Sequence, residues 1–182
     1  MGNHALLADV DVVVIGGGIV GCAVARKLAL EGVTIVLLEK SADILEGASK
    51  GNSAILHTGF DAPEDSLELE CVRNGYAEYL EIRKSLNLPL LETGALVAAW
   101  TEEEEECFSR ILEKAQNNGI DDLRLMSQTE TLAMEPNISG SLRSAISVPR
   151  EFVIDPWSAP LAYLSQAVSN GGQAISNAEV AG

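Results

Sequence analysis

The sequence predicts an α/β protein, a parallel sheet with crossover helices interrupted by part of a mixed-sheet α+β segment, on three observations. In DVVVIGGGIV an apolar run, Val12 to Ile15, leads straight into a glycine cluster. Helical spacing follows from Gly18 to Glu31, and TIVLLEK then reads as a second buried strand ending in charge at Glu39. Past residue 40 this alternation stops, and helices and strands come in mixed order.

Each element has its own reason. Four uninterrupted apolar residues at Val12–Ile15 are the pattern of a parallel strand covered on both faces. In the helix, Val20, Val24 and Leu28 share a stripe, Arg26, Lys27 and Glu31 lie elsewhere, and Gly32 stands where a C-terminal cap belongs. Strand, glycine turn, helix and strand make a βαβ unit. Ser41 to Ala62 reads as a loop with one helical turn around Asp43 to Glu46. Asp65 is placed to cap a helix running to Leu86, with Leu67, Cys71, Ala77 and Leu80 among its apolar positions and Pro89 as a stop. GALVAAW reads as a strand, and Thr101 with Glu104 forms a capping box opening a helix that ends near Asn118–Gly119. A short strand at Leu123–Met126 and a short helix at Gln128–Met134, closed by Pro136, come next. SLRSAISVP alternates like a half-exposed strand. Asp155–Pro156 reads as cap and first helical residue of a helix to Gly171, with strands expected at Ala174–Ser176 and from Glu179 onward.

Bulk properties narrow the function. With 182 residues and 47% hydrophobic side chains, the chain can build a packed core. A net charge of −15 argues against nucleic acid, whose phosphates it would repel. No apolar run is long enough to span a bilayer, and MGNHALLAD has neither the basic start nor the apolar stretch of a signal peptide. Cys22, Cys71 and Cys107 are odd in number and form no CxxC pair, which suggests neither a disulfide framework nor a metal site and fits a reducing, cytoplasmic setting. The five glutamates Glu102 to Glu106 read as a solvated helix start favoured by the helix dipole.

Gly16, Gly18 and Gly21 give GxGxxG between a strand and a helix. The first glycine permits the tight turn, the second lets backbone approach a pyrophosphate, and the third lets helix and strand pack closely. Amides and the positive dipole end at the helix tip suit phosphates. Glu39, 23 residues after Gly16, ends the second strand, where a carboxylate can accept from both ribose hydroxyls and would repel a 2′-phosphate. The expectation is a Rossmann-like dinucleotide site. A nicotinamide domain would continue its helix–strand alternation, whereas here a loop, SKGNSAILHTGF, and strands of alternating type follow. That order fits a flavoprotein with a second domain inserted into the nucleotide-binding one.

DVVVIGGGIVGCAVARKLAL, IVLLEK and GNSAILHTGF together resemble the FAD-dependent oxidoreductases of the D-amino-acid oxidase type, with the glycerol-3-phosphate dehydrogenase and L-2-hydroxyglutarate oxidase branch as the nearest likeness. EPNISGSLRSAISVP and FVIDPWSAPLAYL are similar to that branch's return from substrate domain to FAD domain. The resemblance implies FAD as cofactor and three segments: an FAD-binding segment at 1–86, a partial substrate domain at 87–150, and an incomplete return at 151–182. It implies Gly16, Gly18 and Gly21 facing the pyrophosphate, Glu39 the adenosine ribose, and Lys40 the adenine end. By the same likeness Ser49, Gly51, Asn52 and Ser53 wrap the pyrophosphate and the start of the flavin, Val180 offers a backbone contact to adenine, and His57 comes near the isoalloxazine ring.

Three roles for His57 follow: a base that takes the proton when a CH–OH group is oxidised, a structural flavin contact, or a covalent link to the flavin. Arg143 and Arg150 are either holders of an anionic substrate or outward charges on an edge strand. Cys22 reads as a small core residue, and Trp100 and Trp157 as packing residues. The reaction expected is oxidation of a small hydroxy acid or polyol phosphate. An amine or amino-acid oxidase on the same scaffold and a non-catalytic nucleotide-binding module are the alternatives. The expected partner is a small-molecule substrate, with the electron acceptor and a homo-oligomer left open. Relatives of this type run roughly twice as long or more, so the chain reads as truncated inside its FAD domain, binding FAD poorly and inactive alone.

Overall fold

The structure, a computed structural model, describes residues 9–181. Along the chain come β1 (Val12–Ile15), α1 (Ile19–Leu30), β2 (Ile35–Leu38), a single 3-10 turn (Ala48–Lys50), β3 (Ile55–Leu56) and α2 (Leu67–Ile82). Then follow β4 (Leu90–Leu91), β5 (Ala95–Ala99), α3 (Glu102–Glu106), α4 (Phe108–Asn117), β6 (Arg124–Ser127) and α5 (Gln128–Met134). Last are β7 (Ser144–Val148), β8 (Phe152–Ile154), α6 (Ser158–Ser169) and β9 (Gln173–Ile175). Two compact units result: one runs to Ser53 and resumes at Asp155, the other is Ala54–Ile154. Residues 54–86 and 151–154, grouped by the sequence with the nucleotide-binding segments, therefore pack within the second unit.

In the first unit β1, β2 and β9 form a parallel sheet in that order, with Val12 beside Ile35 and Val36 beside Gln173. The central strand β2 is sealed, with Ile35, Val36 and Leu37 all buried. Strand β1 differs from the expectation of burial on both faces: only Val14 is buried, and Val13 and Ile15 are exposed, because β1 is the edge of this sheet among the described residues. Helix α1 differs too. Its buried face is Cys22, Ala25 and Ala29, while Val20 and Val24 of the expected stripe face solvent. Small side chains let α1 rest closely on α6, where Ala167 is fully buried and Tyr163 and Leu164 complete the cluster. Arg26 holds the same contact, donating to Gln166 Oε1 at 2.7 Å and lying over the Tyr163 ring.

The second unit holds two antiparallel sheets, β3-β8-β4 and β5-β7-β6. Strand β7 is central and almost wholly buried, so the expected half-exposed strand is corrected: it is flanked by β5 and β6. Its core is Ala99, Phe108, Ile146 and Val148, flanked by Phe60, Val97 and Ile111. Several helix ends also shift. Helix α2 is capped by Ser66, whose hydroxyl accepts from the Leu69 amide at 3.1 Å, and not by Asp65, which has φ +52. The helix expected from Thr101 to Asn118 breaks at Cys107, although the Thr101–Glu104 capping box forms. Asp155 sits three residues before Ser158, the first residue of α6, where its carboxylate accepts from the Trp157 amide and the Ser158 hydroxyl. Residues 178–181 are not a strand. Among the described residues no helix is long and apolar enough to cross a membrane.

Candidate functional site

The glycine loop joins β1 to α1 and is stitched to β2 by the Gly16 amide, which donates to Leu38 O at 2.8 Å. Gly16 has φ +103, a region side chains disfavour. A Cβ on Gly21 would lie 2.0 Å from Gly16 O, so helix and loop touch through bare backbone. At the helix tip Gly18 is extended and supplies no side-chain cap. The Ile19 amide donates to Ser49 Oγ at 3.1 Å, and those of Val20 and Gly21, as in any first turn, have no intrahelical acceptor. No acidic side chain lies in that turn. The result is a positive tip, with no acidic side chain and no side-chain cap from Gly18, of the kind that binds phosphate.

Glu39 stands at this loop. Its Oε2 accepts from the Gly17 amide at 2.6 Å and its Oε1 from the Ser41 amide at 2.8 Å. These bonds, Ser41's first and Gly17's second, hold its carboxyl below the ordinary value of 4.5 against the opposing effect of burial. An ionised carboxylate therefore faces the glycine turn. Gly17 was not singled out by the sequence pattern, yet a Cβ there would come within 2.9 Å of Ile44 and 3.2 Å of Glu39. The run of three glycines was the available signal.

The other expected cofactor residues lie in the same unit. Ser49 reaches the helix tip; Gly51, Asn52 and Ser53 are exposed residues of the turn that follows, with the Asn52 side-chain Nδ2 donating to Ser49 O at 3.0 Å. Trp157 Nε1 donates to Lys50 O at 3.4 Å. Lys40 is exposed beside Glu39. Val180, expected on the last strand, instead follows a segment tied to the end of β2 by Asn177 N to Ser41 O and Ala178 N to Glu39 O. Cys22 is a core residue as expected, its thiol pushed up to about 11 by burial and, secondarily, by the Glu39 charge.

His57 belongs to the second unit. It follows β3, whose pairs with β8 are Ile55–Val153 and Leu56–Phe152. Its Nδ1 lies 3.0 Å from Glu151 Oε2, with the histidine side chain 47% exposed and the glutamate's only 3%. Glu151 Oε1 accepts from the Thr58 amide at 2.6 Å and the Thr58 hydroxyl at 2.8 Å. Sequence reasoning missed Glu151, which belongs to no motif. The loop after His57 is clamped by buried Asn118, whose Nδ2 donates to Gly59 O and Ala62 O at 2.8 and 2.9 Å.

Arg143 and Arg150 are not on an edge strand, and each already has a carboxylate partner. Arg143 pairs with Glu105 at 2.9 Å, and Arg150 makes a two-pronged bond to Asp122 at 2.6 and 2.8 Å. Trp100 and Trp157 are 43% and 50% exposed, so neither is a core residue.

Comparison with known proteins decides the family. The profile described as FAD dependent oxidoreductase matches residues 11–182. The chain belongs to this family. It is 33% identical over 161 residues to the glycerol 3-phosphate dehydrogenase of Caloramator mitchellensis, covering 88% of this chain and 34% of that one. To human mitochondrial L-2-hydroxyglutarate dehydrogenase it is 31% identical over 182 residues, covering 99% of this chain and 39% of that one. FAD-bound L-alpha-glycerophosphate oxidase of Mycoplasma pneumoniae superposes with TM-score 0.85 at 27% identity, over 94% of this chain and 45% of that one. The chain thus spans less than half the length of these relatives. The family's cofactor is FAD, and the bare helix tip beside an ionised acid is chemically suited to a diphosphate joined to a ribose.

Proposed function

We propose that this chain is the FAD-binding part of an oxidoreductase that oxidises the CH–OH group of a small hydroxy acid or polyol phosphate, such as L-2-hydroxyglutarate or glycerol 3-phosphate. The observation that carries it is the tip of α1, which has neither an acidic side chain nor a side-chain cap from Gly18, with Glu39 at the same turn, in a chain similar to two enzymes acting on those compounds by name. In this reading Gly16, Gly18 and Gly21 present backbone to the diphosphate and Glu39 accepts from the ribose hydroxyls. Lys40 and the backbone of Val180 flank the adenine. Ser49, Gly51, Asn52 and Ser53 line the path toward the flavin. Bound FAD supplies the hydride acceptor.

His57 is the chain's proton acceptor in the same reading. It lies four residues past Ser53, and its partly exposed ring can take the hydroxyl proton as the C–H bond breaks. Three free cysteines suit a reducing compartment such as the cytoplasm. The test is flavin bleaching in a protein carrying this chain at its relatives' length. Glycerol 3-phosphate, L-2-hydroxyglutarate and glycine are each mixed with the FAD-loaded protein without oxygen. Bleaching by either hydroxyl compound supports the reading; bleaching by glycine alone points to an amine oxidase, and none by any of the three to a non-catalytic module. His57→Gln is expected to slow bleaching roughly 10²–10⁴-fold, the usual contribution of a positioned base.

A further inference from the structure

We propose that Glu151 is a positioning residue that holds the His57 proton on Nδ1 and so makes Nε2 the atom that accepts the substrate proton. This rests on the proton-accepting role proposed for His57. The arrangement begins in the backbone. Pairs Ile55–Val153 and Leu56–Phe152 step along an antiparallel ladder, and one further step sets His57 opposite Glu151.

A carboxylate only 3% exposed is costly unless its oxygens are bonded. Oε1 takes both Thr58 donors, which fixes the carboxylate and leaves Oε2 turned to His57 Nδ1 at 3.0 Å. A neutral imidazole has one donor nitrogen and one acceptor nitrogen, whereas an ionised carboxylate only accepts. Nδ1 must therefore carry the proton, and the lone pair falls to Nε2. When substrate gives up its hydroxyl proton, the O–H bond breaks and an N–H bond forms at Nε2, while the Nδ1 proton stays in place. The imidazolium so formed lies next to a buried negative charge, which compensates it. Were Glu151 present only to tie down Thr58, the tautomer of His57 would not depend on it.

The experiment reads that tautomer in this chain without cofactor or turnover. Long-range nitrogen–proton spectra of the imidazoles are recorded at alkaline pH, and the signals are assigned with His57→Gln, since His4 is the only other histidine. Wild-type His57 is expected as the Nδ1–H form. Glu151→Gln is expected to convert the majority to Nε2–H, and Thr58→Val to leave Nδ1–H in place. A wild-type ring in the Nε2–H form overturns the proposal without any variant, as does an Nδ1–H form that survives Glu151→Gln. The two readings fail separately. An Nε2–H ring together with turnover that still depends on His57 removes Glu151 alone; an Nδ1–H ring together with turnover unaffected by His57→Gln removes the base.

Discussion

Replacing Gly21 by alanine tests the glycine loop through its own packing. The new Cβ would stand 2.0 Å from Gly16 O, a backbone atom that no rotamer change can move, so α1 must shift off the loop. Forced overpacking of this kind costs about 3 kcal/mol, the upper part of its usual range. The better helix propensity of alanine returns about 1 kcal/mol. The net is about 2 kcal/mol, which lowers the melting temperature by roughly 4–8 °C for a chain of this size. Gly18→Ala is the control from the same motif. Gly18 has φ −75, and its Cβ would meet only the Ser49 hydroxyl at 3.1 Å, which can rotate away. Its cost should stay within about 0.5 kcal/mol. Trp157 lies in the unit that holds the loop and Trp100 in the other, so a Trp100→Phe background lets tryptophan fluorescence follow the right unit during thermal unfolding without ligand. Equal stability of the two alanine variants would refute the close contact between Gly21 and Gly16.

Other consequences are as direct. Glu39→Gln should lower stability by about 1–3 kcal/mol at neutral pH, because a buried charged acceptor of two amides is lost. Since folding depresses the Glu39 carboxyl, its stabilisation is present above 4.5 and fades as pH falls below that value; urea unfolding should show wild type and variant converging in acid. Asn118→Ala leaves the carbonyls of Gly59 and Ala62 without their buried donor, so unfolding followed by Trp100 in a Trp157→Phe background should show a loss of about 1–3 kcal/mol. Native protein should expose Cys71 and Cys107 to a thiol reagent and withhold Cys22, which is fully buried with its thiol pushed up to about 11; a third thiol should react only on unfolding.

What the sequence made legible follows from periodicity and local chemistry. The elements of the glycine turn were readable because β1, α1 and β2 each bring their own signal: an apolar run, helical spacing and glycines where backbone must touch. The capping box at Thr101 was readable for the same reason, since both partners lie within one turn. Burial was harder. Val20 and Val24 look like a core stripe, but α6 arrives more than a hundred residues later and selects the alanine face of α1 instead. The sheet around His57 escaped notice because β3, β4 and β8 have only two or three residues each, too few for an alternation to register. With β8 unseen, its ladder to β3 was unseen as well, and Glu151 had no reason to be set beside His57.

The account turns on a dinucleotide lying across the tip of α1, and amide spectra of this chain during an FAD titration address that directly, even where binding is weak. Shifts that include residues 16–21, 39–41, 49–53 and 177–180 are the predicted result. Saturating FAD that leaves the amides of Gly17, Gly18 and Val20 unmoved would contradict it.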